Sequence, residues 1–235
     1  MQAFLLAAGY GSRLRPLTNS TPKCLVPINN KPLLSYWLDL FQKYGITEVF
    51  INTHYLAQEV ENYIQCNDYN ISIYTLYEPV LLGSAGTILQ NKHLITPNAD
   101  FLICYADNLT NINLLDLIDY HKNSNCIMTM NLFSSANPKE CGIATLDEFN
   151  NVIDFVEKPQ CPTSNLSNSG IYVCSYQIFD FLNENIKDIG HDLIPSLVPN
   201  IKGIELPCYL KDIGTLEKYY EAQEDVQNGT YATAN

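Results

Sequence analysis

Read for hydrophobic and polar positions, the chain alternates short apolar runs with amphipathic ones. "AFLLAA" (3–8) reads as a buried strand, "EVFIN" (48–52), "ISIYTLY" (71–77) and "CIMTMNLF" (126–133) read as further strands, and "DFLICYAD" (100–107) is an apolar run of strand length. Between them, "KPLLSYWLDLFQKYG" (31–45) places Leu33, Leu34, Trp37, Leu38 and Phe41 at helical spacing, with Pro32 in the first turn and Gly45 as its stop. "LAQEVENYIQ" (56–65), "GTILQNKHLI" (86–95) and "LLDLIDYHKN" (114–123) read as further helices.

Strand–helix alternation of this kind predicts βαβ units in an α/β fold: a three-layer, Rossmann-like, mixed and mostly parallel sheet with helices on both faces. The second half is less regular. "GIATL" (142–146) and "VIDFVEK" (152–158) flank the polar turn "DEFNN" and predict a hairpin. A strand "SGIYVCS" (169–175), a helix "YQIFDFLNEN" (176–185), a strand "IELPCYL" (204–210) and a helix from Thr215 to about Gln227 follow. Gly229 closes that helix and "TYATAN" is expected to fray. No repeat, low-complexity tract or linker interrupts the 235 residues, so a single domain is expected.

Composition narrows the function. Lys and Arg number 13 against 25 Asp and Glu, a net charge of −12 that argues against nucleic acid or an anionic membrane as partner. The first apolar stretch has no charged region before it and runs straight into glycines, which predicts a cytoplasmic chain. The eight cysteines are scattered without a C-x-x-C pair, as expected of small apolar thiols rather than ligands.

Against that acidic background the cationic cluster in "LLAAGYGSRLRPLTNSTPK" (5–23) marks a site. A Walker A loop fails for want of its second half, and a G-x-G-x-x-G fingerprint fails because Leu14 stands at its third glycine. What remains is Gly9-Tyr10-Gly11-Ser12-Arg13 after a strand, where glycines bring backbone N–H groups close to an anion and Arg13 and Lys23 supply charge for a polyphosphate. Solvated cations on a Gly-rich turn remain the plainer alternative.

These residues also resemble a family. G-x-G-[ST]-R-L-x-P-L-T…P-K after an N-terminal strand is similar to the signature of the sugar-1-phosphate nucleotidyltransferases. Four more segments follow in that family's order: "EPVLLGSAGTI" (78–88), "YADN" (105–108), "FVEKP" with "NSGIYV" (155–159, 168–173), and "LKDIGT" (210–215). Departures are Ala8 for the commoner Gly, Cys24-Leu25 where Pro-Leu is usual, and Leu210 in place of an aromatic.

The resemblance implies transfer of a nucleotidyl group from a nucleoside triphosphate to a sugar 1-phosphate. It implies a nucleotide-binding half at about 1–110 and a sugar-binding half at about 111–228. Leu6, Ala8, Gly9, Gly11, Ser12, Arg13 and Lys23 would meet the nucleotide, with Glu78, Leu82 and Gly83 at its base. Asp107 and Asp212 would share one Mg²⁺ with phosphate oxygens; alternatively Asp212 caps the last helix. Gly142, Glu157, Lys158 and Asn168 would hold the sugar phosphate, and Arg13, Lys23, Asp107 and Lys158 would carry the chemistry. The stretch "LYEPVLLGSAGTI" resembles the guanylyltransferase branch and implies GTP, although uridylyltransferases share nearly the same first motif. A glycosyltransferase would show D-x-D where this chain has Tyr105-Ala106-Asp107-Asn108. A non-catalytic sensor would lose a metal ligand. Phosphocholine cytidylyltransferases, which share the first motif, need no sugar contacts.

Overall fold

The computed structural model describes residues 1–233. In chain order it contains β1 (Gln2–Leu6), β2 (Pro27–Ile28), β3 (Lys31–Pro32), α1 (Leu33–Lys43), β4 (Glu48–Thr53), α2 (Ala57–Gln65) and β5 (Ser72–Tyr77). There follow α3 (Ser84–Gln90), β6 (Phe101–Tyr105), β7 (Asn108–Thr110), α4 (Leu114–Lys122), β8 (Met128–Ser134), β9 (Gly142–Leu146), β10 (Val152–Glu157) and β11 (Leu166–Cys174). The chain ends with α5 (Ile194–Leu197), β12 (Ile201–Glu205), β13 (Leu210–Asp212), α6 (Leu216–Gln227) and α7 (Thr230–Thr233). The class is the α/β expected from the alternation, with a mixed sheet.

Two compact units emerge, each built from separate stretches. The first comprises 1–81, 104–113 and the segment from Pro207 onward; the second comprises 82–103 and 114–206. This grouping cuts across the expected 1–110 and 111–228 halves, because β13 returns to pair with β7 in antiparallel register, Leu210 opposite Thr110 and Asp212 opposite Asn108.

In the first unit β1, β4 and β5 are parallel, Gln2 to Leu6 matching Glu48 to Asn52. Every residue of β1 is buried, hence its apolar run from Ala3 to Leu6. Helix α1 buries Leu33, Leu34, Trp37, Leu38 and Phe41, the stripe its periodicity predicts, and Trp37 Nε1 donates to the Asn108 carbonyl at 2.8 Å. The helix is shorter than expected at its start because Lys31–Pro32 pairs with Pro27–Ile28 across Asn29 and Asn30. Both asparagines have positive φ (47° and 64°), as a two-residue hairpin turn requires.

An apolar cluster of Leu14, Val26, Ile28, Leu33, Leu109, Tyr209, Ile213, Tyr219 and Ala222 lies beneath the Gly-loop segment and ties the C-terminal elements to it. The expected fraying of "TYATAN" gives way, over Thr230–Thr233, to a helix. Tyr231 packs against Tyr36 and Tyr209 and donates to the Thr110 carbonyl at 3.0 Å, so the end is anchored by burial. Ala234 and Asn235 lie outside the described residues.

In the second unit β8 lies between antiparallel β11 and parallel β12, and β9–β10 is the predicted hairpin. Two expectations fail here. The helix expected over 176–185 is a 3₁₀ segment, Tyr176–Asp180, in which Tyr176 meets Phe179 edge-on and Phe179 stacks on Phe101. Spacing of three residues suits that tighter winding. The strand expected over 204–210 is divided into β12 and β13, with Pro207 between them. Among the described residues no helix is long and apolar enough to cross a membrane.

Candidate active site

The first unit carries a pocket of ≈ 280 Å³ lined by Leu6, Ala7, Gly9, Tyr10, Gly11, Ser12, Arg13, Lys23, Cys24, Ala106, Asp107 and Gly214. It lies at the carboxyl ends of β1 and β6, where open α/β folds bind ligands. The loop shape is local chemistry. Gly11 has φ +62°, and a Cβ there would lie 3.0 Å from Thr18 Cγ2 and 3.1 Å from Lys23 Cβ, so glycine takes up this shape without strain and other residues do not. The buried Thr18 hydroxyl donates to the Gly11 carbonyl at 2.7 Å, and Leu14 N donates to the same oxygen at 2.9 Å. Arg13 is exposed at the rim, whereas Arg15 is exposed and outside the lining.

Lys23 is held by the 3₁₀ turn Lys23–Leu25 after Pro22. Its ammonium lies 2.6 Å from Asp107 Oδ2 and 3.7 Å from Asp212 Oδ1. Backbone pairing brings the two carboxylates together, since Ile213 N donates to the Asp107 carbonyl at 2.8 Å. Lys218 Nζ approaches Asp212 Oδ2 at 3.6 Å. Burial first, and the Asp107 charge second, raise the Asp212 carboxyl above the ordinary aspartate value against the opposing pull of Lys23, Lys218 and Arg13. Two crowded carboxylates of this kind call for cations. Thr215, not Asp212, caps α6 by accepting from Lys218 N. Cys24 is a buried thiol pushed up to about 12 by desolvation, and so inert.

Two hard oxygen ligands beside incoming phosphate oxygens fit Mg²⁺, which keeps few protein ligands. Among the described residues no group of three or more His, Cys, Asp or Glu is arranged to hold a metal by itself. Phosphate and water would therefore complete the shell.

Not every nucleotide residue suggested by the sequence faces this pocket. Ala8 is buried, and its neighbour Ala7 lines the cavity instead. Glu78 is only 3% exposed, and its carboxylate accepts from Asn52 Nδ2 at 2.9 Å rather than facing the cavity. Leu82 and Gly83 belong to the second unit, at the start of α3, where Ala85 N donates to the Lys187 carbonyl.

The second unit gathers Gly142, Glu157, Lys158 and Asn168. Register places Gly142 opposite Glu157, and Ser167 pairs with Ile143 one residue from Asn168 and Gly142. A Cβ on Gly142 would lie 2.4 Å from Glu157 Oε2, so its absence makes room for that carboxylate. Burial raises the Glu157 carboxyl, opposed by Lys158 and His191 and reinforced by Asp188. Lys158 is 60% exposed, 3.7 Å from Glu157 Oε1, and has φ +48°. Asn168 donates to Tyr172 Oη at 2.7 Å and accepts from Gly170 N at 3.0 Å, so its amide shapes a bulge in β11. Sequence reasoning missed Asp188, Gly190 and His191 beside Glu157. These residues lie in a stretch for which the sequence pattern predicts no element, and residues 189–197 form a π-helical turn followed by α5.

Comparison with known proteins gives a family match and several relatives. The family described as nucleotidyl transferase matches residues 2–229. A mannose-1-phosphate guanyltransferase beta-A of Xenopus laevis is 30% identical over 220 residues, covering 91% of this chain and 61% of that protein. A UTP–glucose-1-phosphate uridylyltransferase of Synechocystis is 28% identical over 244 residues, covering 94% of this chain and 62% of that protein. A solved UDP-glucose pyrophosphorylase from Acinetobacter baumanii superimposes with a TM-score of 0.85 at 21% identity, covering 99% of this chain and 95% of that one, a likeness of fold. The chain thus spans about three fifths of the length of these two curated relatives.

Proposed function

The chain belongs to the nucleotidyl transferase family, and from that premise we propose that it joins a nucleoside triphosphate to a sugar 1-phosphate with release of pyrophosphate. The observation that carries this reading is the convergence of the Gly9–Gly11 loop, Arg13 and Lys23 with Asp107 and Asp212 in one unit. In the reaction a sugar-phosphate oxygen attacks the α-phosphorus, the new P–O bond forms, and the bond to the β-phosphate oxygen breaks. The acceptor oxygen is already anionic, so no Ser, Cys or His nucleophile is needed. The barrier is mainly one of bringing like charges together, which positioned cations lower.

Within this proposal the loop amides from Gly9 to Ser12 orient the triphosphate, and Arg13 and Lys23 offset its charge. Asp107 and Asp212 would hold Mg²⁺, which supplies further neutralisation of the phosphates when bound. Lys23 bonds to Asp107, and a bound nucleotide would offer its ammonium phosphate oxygens as further acceptors. Lys158, exposed beside Glu157, would meet the sugar phosphate, with Glu157 and the Gly142 backbone at sugar hydroxyls.

GTP is the proposed donor, supported by the 30% identity to a protein named as a mannose-1-phosphate guanyltransferase. UTP is the second reading, supported by the relative named as a uridylyltransferase. The proposed location is the cytoplasm, which supplies nucleoside triphosphates. Measuring kcat/KM for each triphosphate with mannose 1-phosphate and glucose 1-phosphate tests the assignment. A clear preference for UTP, CTP or dTTP would overturn the guanylyl choice.

A further inference from the structure

Strand pairing of β1 with β4 ends at Leu6 opposite Asn52, and the loop begins one residue later. The first loop amide, Ala7 N, donates to the side chain of Asn52 at 2.7 Å. The other end of that side chain donates to Glu78 Oε1 at 2.9 Å. Ala7 N–H can only donate, so it takes the Asn52 amide oxygen and leaves the amide nitrogen to donate to Glu78, which fixes the way the Asn52 side chain faces. Asn52 and Glu78 are 5% and 3% exposed, which makes the bridge a buried one.

A second bridge runs parallel to it. His54 Nδ1 lies 2.7 Å from the Glu78 carbonyl oxygen, and His54 Nε2 lies 2.9 Å from Tyr10 Oη. A carbonyl accepts only, so Nδ1 carries the hydrogen and Nε2 accepts from the Tyr10 hydroxyl when the ring is neutral. The Tyr10 and His54 rings meet edge-on at 5.2 Å. Glu78 is itself fixed, its N–H donating to the Thr53 carbonyl at 2.8 Å.

We propose that Asn52 and His54 are positioning residues that clamp the nucleotide loop, at Ala7 and Tyr10, to Glu78. The inference rests on the nucleotide reading of the pocket. Neither residue lines that pocket, while both of their loop partners do. A loop held from behind at two points presents its amides already ordered. Without the clamp it would spend part of its time in other shapes, and affinity would fall by the competent fraction. The clamp also gives Glu78 a role through the loop, in place of a direct contact with the base.

The test titrates the protein with GTP and with UTP in Mg²⁺, for wild type, Asn52→Ala, His54→Phe, Glu78→Ala and the Asn52→Ala/Glu78→Ala pair. Asn52→Ala and His54→Phe should each raise the Kd by about tenfold or more. KM for the sugar 1-phosphate should not move, and kcat at saturating nucleotide should stay within about threefold, since positioning is restored once the loop is occupied. The double variant should lose no more than the worse single variant, as expected of groups acting as one unit. Unchanged nucleotide Kd in a folded Asn52→Ala protein would overturn the proposal. Should that variant not fold, unchanged nucleotide Kd in His54→Phe overturns it equally. A wild type that binds neither nucleotide would instead sink the nucleotide reading itself.

Discussion

Two glycines in the same loop carry opposite predictions. Gly11 sits at φ +62°, where an added Cβ would lie 3.0 Å from Thr18 Cγ2 and 3.1 Å from Lys23 Cβ. Placing a non-glycine residue in the left-handed region costs about 1–2 kcal/mol. Forcing a methyl group into occupied space adds about 1–3 kcal/mol. Gly11→Ala should therefore destabilise the fold by about 2–5 kcal/mol, a fall in Tm of about 4–20 °C for a chain of this size. At Gly9 an added Cβ meets no heavy atom within 4 Å, and its φ is not in the left-handed region. Gly9→Ala should stay within about 1 kcal/mol of wild type in stability. Its methyl group would nevertheless stand on the pocket lining and weaken nucleotide binding. Thermal and urea unfolding followed by circular dichroism, beside titration with GTP and UTP, separates the two effects. A Gly11→Ala protein that melts with wild type, or a Gly9→Ala protein that is the less stable of the pair, would refute this account of the loop.

Three further outcomes follow from the charged groups. Asp107→Asn and Asp212→Asn should each lower kcat by at least about 100-fold in saturating Mg²⁺, as when charge-stabilising groups are lost; stopped turnover assays check this, and full activity in EDTA would contradict it. Lys23→Ala should chiefly lower kcat/KM for the nucleotide and Lys158→Ala that for the sugar phosphate; equal losses for both substrates in both variants would end the division of labour. Glu157 has a carboxyl raised by burial, so the folded state binds its proton more tightly than the unfolded state does. Its contribution to stability is greatest below the ordinary glutamate value and falls as pH rises through the raised one. Glu157→Gln should therefore be more stable than wild type at pH 7, the gap closing below about pH 4; urea titrations at both values decide it.

Much of the first unit was legible because burial there is regular. β1 and β4 are apolar runs of strand length, and α1 shows one clean stripe. Tertiary packing overrode local pattern elsewhere. The 176–180 segment reads as a helix by composition, yet its aromatic contacts at a spacing of three select 3₁₀ winding. The 189–197 turn lies in a stretch for which the sequence pattern predicts no element. In the site, the Gly loop and Lys23 announced themselves by motif. That Asp107 and Asp212 lie side by side depends on β7 pairing with β13, a contact between segments far apart in sequence. Glu78 shows the limit most plainly: its identity says nothing of which way it faces, and a buried Asn52 turns it toward the strand end. The amide of Asn52, near the end of the buried run "EVFINT", was the available signal, since a buried side-chain amide is expected to be hydrogen-bonded.

The most direct test of the central claim is pyrophosphate release from GTP, UTP, CTP, dTTP and ATP, each offered with and without a sugar 1-phosphate in Mg²⁺. The account predicts release that requires both substrates, is strongest with GTP, and yields a nucleoside diphosphate sugar by mass spectrometry. Absence of pyrophosphate with every pair across a broad panel of sugar 1-phosphates, or release that ignores the acceptor, would contradict it.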